Sequence, residues 1–220
     1  QLSLLYARQE RYIESEQLLK EVVSTNEFSQ PALIALGNVY LVQGKHTESL
    51  EPLQKVVELN KDNPLRGASR ELEGVYFSLG QAYMKLNQPE QAIINLKEAL
   101  LIDRTDSDAH YLSGLAYQKQ GNHDEAITRF QQAVLFVPNF KEAYQSMAES
   151  YKAKAQPSHE AYALAMVSLT SGSFEDAREK LQKVVSTVPD YPQAHLGLGL
   201  TYEKLGHMAK ARESYQKVLQ

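Results

Sequence analysis

Residues 121–126 read GNHDEA, and relatives of this stretch recur along the chain: GKHTES at 44–49, NQPEQA at 87–92, GSFEDA at 172–177 and GHMAKA at 206–211, with a degenerate ERYIES at 10–15. Four residues ahead of each stands Tyr6, Tyr40, Tyr83, Tyr117, Ser168 or Tyr202, and three residues before most of these comes Gly37, Gly80, Gly114, Ala165 or Gly199. Four intervals settle the organisation. Tyr6 to Tyr40, Tyr83 to Tyr117, Tyr117 to Tyr151 and Ser168 to Tyr202 are each 34 residues. Each unit holds two apolar-periodic stretches of helical length divided by a turn, so the unit is a helix hairpin and the chain is a repeat protein.

Packing explains the pattern. A small residue lets the first helix approach its partner, and the tyrosine three positions on lies on the same face and fills the space between hairpins. Ser49, Ala92, Ala126, Ala177 and Ala211 open the contact of each second helix. Leu53, Leu96, Phe130, Leu181 and Tyr215 follow four residues later, then Val56, Ala99, Ala133, Val184 and Val218. Pro138 and Pro189 end their units, because proline cannot continue a helix.

Read this way, His123, Asp124 and Glu125 are punctuation. The two carboxylates fall in the first turn of a second helix, where the helix dipole favours negative charge, as Glu48, Glu90 and Glu175 do elsewhere. His207 is a turn residue, and His159 opens HEAYA, which lacks the second histidine of a zinc-protease helix. The paired glycines of LGLGLTY at 196–202 follow no strand, so they are not a dinucleotide loop. We expect no catalytic, cofactor-binding or metal site, and no enzymatic activity within these residues.

The bulk composition narrows the class further. The 220 residues are 43% apolar and 23% charged, as in an ordinary soluble protein. Net charge is −4, with no clustered Lys and Arg, which argues against nucleic acid as partner. With no cysteine, thiol chemistry and disulfides are excluded while the compartment stays open; a cytoplasmic location is favoured. No apolar run reaches 18 residues, so direct membrane insertion is not expected. The opening QLSLLYARQERY has no initiator Met and begins in mid-pattern, from which we expect a piece of a longer chain.

These units resemble the tetratricopeptide repeat family over essentially the whole chain. Gly114, Tyr117, Gly121, Ala126, Phe130, Ala133 and Pro138 match the family pattern in one unit. The family's Trp is replaced by Leu33, Tyr76, His110, Tyr144, Ala161 and His195, which makes His110 and His195 packing residues. The resemblance implies an all-α, right-handed superhelical solenoid of antiparallel hairpins. It divides the chain into a partial unit at 1–29, units at 30–63, 73–106, 107–140, 158–191 and 192–220, an insertion or early helix start at 64–72, and a half unit at 141–157.

The insertion follows from the 43 residues between Tyr40 and Tyr83, a surplus of nine. Sharper is the 17-residue step from Tyr151 to Ser168. Either a second helix is missing, or 158–171 serves both as partner of 141–155 and as first helix of the next hairpin. Near 152–160 we expect a distorted junction, which is a kink, a place of exchange between chains, or a site where a loop has been left out.

In the family, the first helices line a concave groove. The corresponding positions here include Asn38; Phe77, Gln81, Met84 and Lys85; Tyr111, Gln118 and Lys119; Glu149 and Lys152; Tyr162 and Met166; and, in the last unit, Gln193, Leu196, Leu200 and Lys204. The first twelve of these are the candidate partner contacts. A carboxylate clamp of the kind that grips chaperone C-termini is not expected, since Asn38 fits it but Ile34, Ser78, Asp108 and Leu112 do not. The resemblance therefore implies a non-catalytic scaffold for a protein or peptide partner. The alternatives are a self-assembling module that forms homo-oligomers through open ends or segment exchange, and a recruitment module of a larger enzyme.

Overall fold

The computed structural model describes residues 11–63, 65, 67 and 69–219, which form twelve helices with no strand among them. Tyr6 and Glu10 of ERYIES lie outside the described residues, as do parts of the 64–72 surplus. The chain divides into two compact units, residues 1–120 and 121–220.

The first unit contains α1 (Tyr12–Thr25), α2 (Gln30–Val42), α3 (His46–Leu59), α4 (Arg70–Lys85), α5 (Pro89–Ile102) and α6 (Ser107–Lys119). Successive helices pack on one another, and first helices also meet first helices, α2 with α4 and α4 with α6. The surplus of nine residues ends in an early helix start. Ser69 caps α4 by accepting from Leu72 N, so the helix begins at Arg70.

Small-to-large matching closes each hairpin. A Cβ placed on Gly37 would stand 2.5 Å from Leu53 Cγ, and one on Gly80 would stand 2.7 Å from Leu96 Cγ. Both leucines are fully buried. Tyr40, Tyr83 and Tyr117 are buried on the adjoining helix face.

The second unit contains α7 (His123–Phe136), α8 (Lys141–Ala153), α9 (Pro157–Thr170), α10 (Phe174–Thr187), α11 (Pro192–Lys204) and α12 (Met208–Val218). Its apolar centre combines Ala165, Leu181, Val184, Ala194 and Leu198.

One turn type recurs between first and second helices at five places. The amide six positions into the turn donates back to the carbonyl of the tyrosine or its equivalent: Lys45 N to Tyr40 O (2.9 Å), Gln88 N to Tyr83 O (2.8 Å), Gln156 N to Tyr151 O (3.0 Å), Ser173 N to Ser168 O (2.9 Å) and His207 N to Tyr202 O (2.8 Å). The residue just before each donor has positive φ: Gly44, Asn87, Ala155, Gly172 and Gly206. This is the helix-ending geometry in which a left-handed residue lets orphan carbonyls be satisfied.

That shared geometry explains the 17-residue step. α9 leaves α8 through the turn at Ala155, as a second helix does, and enters α10 through the turn at Gly172, as a first helix does. It packs along both α8 and α10, and it also touches α11, as neighbouring first helices do. The junction is thus a regular turn followed by a shared helix. With neighbours on both sides, α9 is apolar nearly all round, running Ala161, Tyr162, Ala163, Leu164, Ala165, Met166 and Val167.

Ala155 occupies the left-handed region at φ 52° where most of the other turns have glycine. An alanine there costs about 1 kcal/mol. Ala155→Gly should therefore raise stability by about that amount in chemical denaturation, less the entropic cost of a glycine in the unfolded chain. A loss of stability would show that the turn does not hold this conformation.

Candidate functional site

Among the described residues no three His, Cys, Asp or Glu side chains gather as a metal set. The histidines in the family's Trp slot pack and tie. Nε2 of His110 lies 3.0 Å from Arg104 O, and Nε2 of His195 lies 2.8 Å from Pro189 O. Because a carbonyl only accepts, each Nε2 donates and pins the first helix to the end of the preceding unit.

A second regularity runs between units. Gln54 Nε2 donates to Tyr83 Oη (2.8 Å), Gln131 Nε2 to Tyr151 Oη (3.2 Å) and Gln182 Nε2 to Tyr202 Oη (2.9 Å). At the same place in other units Lys20 stands 5.7 Å from the Tyr40 ring and Lys97 stands 6.0 Å from the Tyr117 ring. The sequence carried this signal, since a Gln or Lys precedes the tyrosine by 20 residues, or by 29 where the surplus intervenes.

In the first unit, the candidate contacts fall on α2, α4 and α6 with mixed exposure. Gln81, Lys85 and Lys119 are exposed, and Phe77, Tyr111 and Gln118 are half-buried. Asn38 is exposed, and its Oδ1 accepts from Ser78 Oγ at 3.0 Å, which links α2 to α4. Lys119 Nζ donates to Asn87 Oδ1 at 3.1 Å. Met84 is only 9% exposed and belongs to the packing between helices.

A carboxyl pair marks the same unit. Glu73 on α4 faces Asp106, the residue that caps α6 by accepting from Asp108 N (2.9 Å) and Ala109 N (3.1 Å). Burial, the hydrogen bond with Asp106 and the charges of Asp106 and Asp103 push the Glu73 carboxyl up to about 7, against the pull of Arg70. A carboxyl whose folded value is raised lends stability below its unfolded value near 4.5 and loses it as pH rises through 7. Solvent screening at this partly exposed site brings the effect to on the order of 1 kcal/mol. The wild-type chain should lose this stability between pH 4.5 and 7, and Glu73→Gln should flatten that slope. Parallel titrations of the two proteins would contradict the pairing.

In the second unit, two adjoining cavities of about 660 and 620 Å³ share Val134, Leu135, Tyr144, Tyr162, Gln193 and Leu196. The first adds Met147, Tyr151, His159 and Tyr191, and the second adds Met166, Leu169, Leu200 and Lys204. Of the candidate contacts, Tyr162 and Met166 line these cavities, with Gln193, Leu196, Leu200 and Lys204. Glu149 and Lys152 sit exposed on α8 outside both linings. Sequence reasoning missed Val134 and Leu135, which belong to a second helix, and the rings of Tyr144 and Tyr191.

The aromatic wall is continuous. Ring centroids of Tyr151 and His159 are 5.1 Å apart, those of His159 and Tyr191 5.1 Å, and those of Tyr162 and Tyr191 5.2 Å. Burial pushes the Tyr144 hydroxyl up to about 12 and raises those of Tyr162 and Tyr191 further. These phenols therefore stay neutral at every physiological pH and offer flat, uncharged contact area.

Family models described as "TPR repeat" and "Tetratricopeptide repeat" match residues 80–121, 107–140, 162–220 and 1–27. No curated protein matches closely enough to count as a relative. Among solved structures, one described as the MamA protein is 25% identical, with 84% of this chain and 91% of that one aligned and a TM-score of 0.66. YrrB, described as a TPR protein with an unusual peptide-binding site, is 20% identical over 87% of this chain and 86% of its own, at TM-score 0.61. A tetratricopeptide repeat protein from Parabacteroides merdae is 18% identical over 99% of this chain and 76% of its own, at TM-score 0.56.

Proposed function

Because the chain belongs to the tetratricopeptide repeat family, we propose that it is a non-catalytic interaction scaffold whose first helices take a peptide or protein partner. The observation that carries this is the mixed face on two adjoining first helices. Half-buried Phe77 and Tyr111 stand with exposed Gln81, Lys85 and Lys119 on α4 and α6. Rings anchored at one edge give contact area at low entropic cost, and the amide and ammonium groups around them can select a partner. YrrB is described as having a peptide-binding site, although at 20% identity that likeness speaks for the fold.

Tyr111 and Gln81 test this face directly. Their double substitution by Ala should weaken a partner isolated on the wild-type chain by about tenfold, with the helical circular dichroism retained. Unchanged affinity would remove this face from the reading. Light scattering on the same samples reports whether the chain stays near 24.8 kDa across concentrations. A mass that rises with concentration would favour self-association instead.

A further inference from the structure

We propose that the two adjoining cavities of the second unit seat one amphipathic helix of a partner protein. That helix presents an uncharged apolar stripe, with its N-terminus toward Asp190 and its C-terminus toward Lys204. This deepens the scaffold reading and rests on it.

The half-unit step builds the seat. α9 enters as a second helix and leaves as a first helix, so side chains of α7, a second helix, line the same cavities as those of α11, a first helix. In a regular array these two kinds of helix belong to different faces. Here both walls carry large apolar groups left open to water. Leu135 on α7 is 64% exposed, and Leu196 and Leu200 on α11 are 45% and 37% exposed. On α9, Tyr162 and Met166 continue the lining one helical turn apart.

A helical occupant satisfies its own backbone. The cavity that reaches Lys204 is lined mainly by apolar groups, and the Thr170 hydroxyl there is already spent on Met166 O and Val167 O at 2.9 and 3.1 Å. In the other cavity the Gln131 amide is engaged by Tyr151. Gln132, Gln156, Gln193 and Asn139 also line the cavities and can meet only some of the peptide groups of an extended strand, whereas a helix brings all its own hydrogen bonds and shows only side chains. Leu196 and Leu200, four residues apart, form a ridge of the kind that fits between the side-chain rows of another helix.

Charge sets the direction. Asp190 lines one cavity and Lys204 the other, at opposite ends of α11. The thirteen residues of α11 span about 20 Å, the length of a three-to-four-turn helix. The carboxylate favours the positive N-terminal end of a helix dipole, and the ammonium favours the negative C-terminal end.

The test is a selection on the whole chain from displayed peptides of roughly 14–18 residues, a length that spans α11. Half of the library is built on a helical frame and half on a proline-containing extended frame. The seat predicts helical winners with uncharged apolar residues at intervals of three and four. It also predicts that L196K/L200K weakens them by about tenfold, because each lysine places a charge in the apolar floor. Leu101→Lys, on α5 outside the cavities and 64% exposed, should change affinity by less than about twofold. Reversal of the end charge by Lys204→Glu should weaken the winners by about threefold. If L196K/L200K alters the circular dichroism of the chain, Leu135→Lys on the opposite wall supplies the same test.

Extended winners, charged stripes or an empty selection would overturn the seat. So would helical winners indifferent to L196K/L200K. If those winners instead lose affinity on the Tyr111→Ala, Gln81→Ala variant, the scaffold reading stands and only the seat is lost.

Discussion

Phe130→Ala should destabilise the second unit by about 3–5 kcal/mol, the largest effect of any single substitution considered for this chain. Phe130 heads the fully buried side chains by size, with none of its surface exposed. It sits in α7 between Ala126 and Ala133, which are fully buried too. Those small neighbours cannot swing in to fill the void, so the loss combines the transfer of the ring with the cavity it leaves. Native-state hydrogen exchange is the right readout, because repeat arrays open locally and a single global transition is not assured. Protection should fall first in α7 and α8. A loss below about 1 kcal/mol would mean that α7 is not held by this ring.

Gly80→Val should cost about 2–3 kcal/mol, while Gly80→Ala should be close to neutral. Both put a Cβ 2.7 Å from Leu96 Cγ, inside contact distance, and Leu96 is fully buried. With alanine the crowding is one methyl deep, and the gain in helix propensity of about 1 kcal/mol offsets it. Valine adds two branches with one preferred rotamer in a helix and no room to turn, so α4 must move away from α5. Equal effects of the two substitutions in chemical denaturation would show that the α4–α5 approach is looser than the packing implies.

Much of this was legible in the sequence because the period and the packing have one cause. A hairpin of fixed length needs a small residue where the helices touch, a bulky one opposite it and a turn residue that tolerates positive φ. Gly37 with Leu53 and Gly80 with Leu96 showed those contacts in the letters alone. His110 was legible as a packing residue for the same reason and is buried, while His195 in the same slot is half-buried.

The candidate site was less legible. Exposure within a first helix depends on its neighbours, and α4 lies between α2 and α6, so Met84 is covered although its position in the unit points to the groove. The cavities of the second unit could not be read from unit positions at all. They arise where the period fails, and only the double role of α9 brings Val134 and Leu135 beside Leu196. The pairing of Glu73 with Asp106 was hidden likewise, because two carboxylates 33 residues apart meet only once α4 and α6 are packed side by side.

The most direct test of the proposed interaction face is a photo-crosslinking side chain introduced at single positions of the first unit in the living parent cell. Gln81 and Tyr111 sample the first helices, and Glu51 and Ile94 sample exposed positions of the second helices α3 and α5. The account predicts a discrete protein adduct at Gln81 and Tyr111 and none at Glu51 or Ile94. Adducts confined to Glu51 and Ile94 would contradict it, because the partner would then lie on the opposite face.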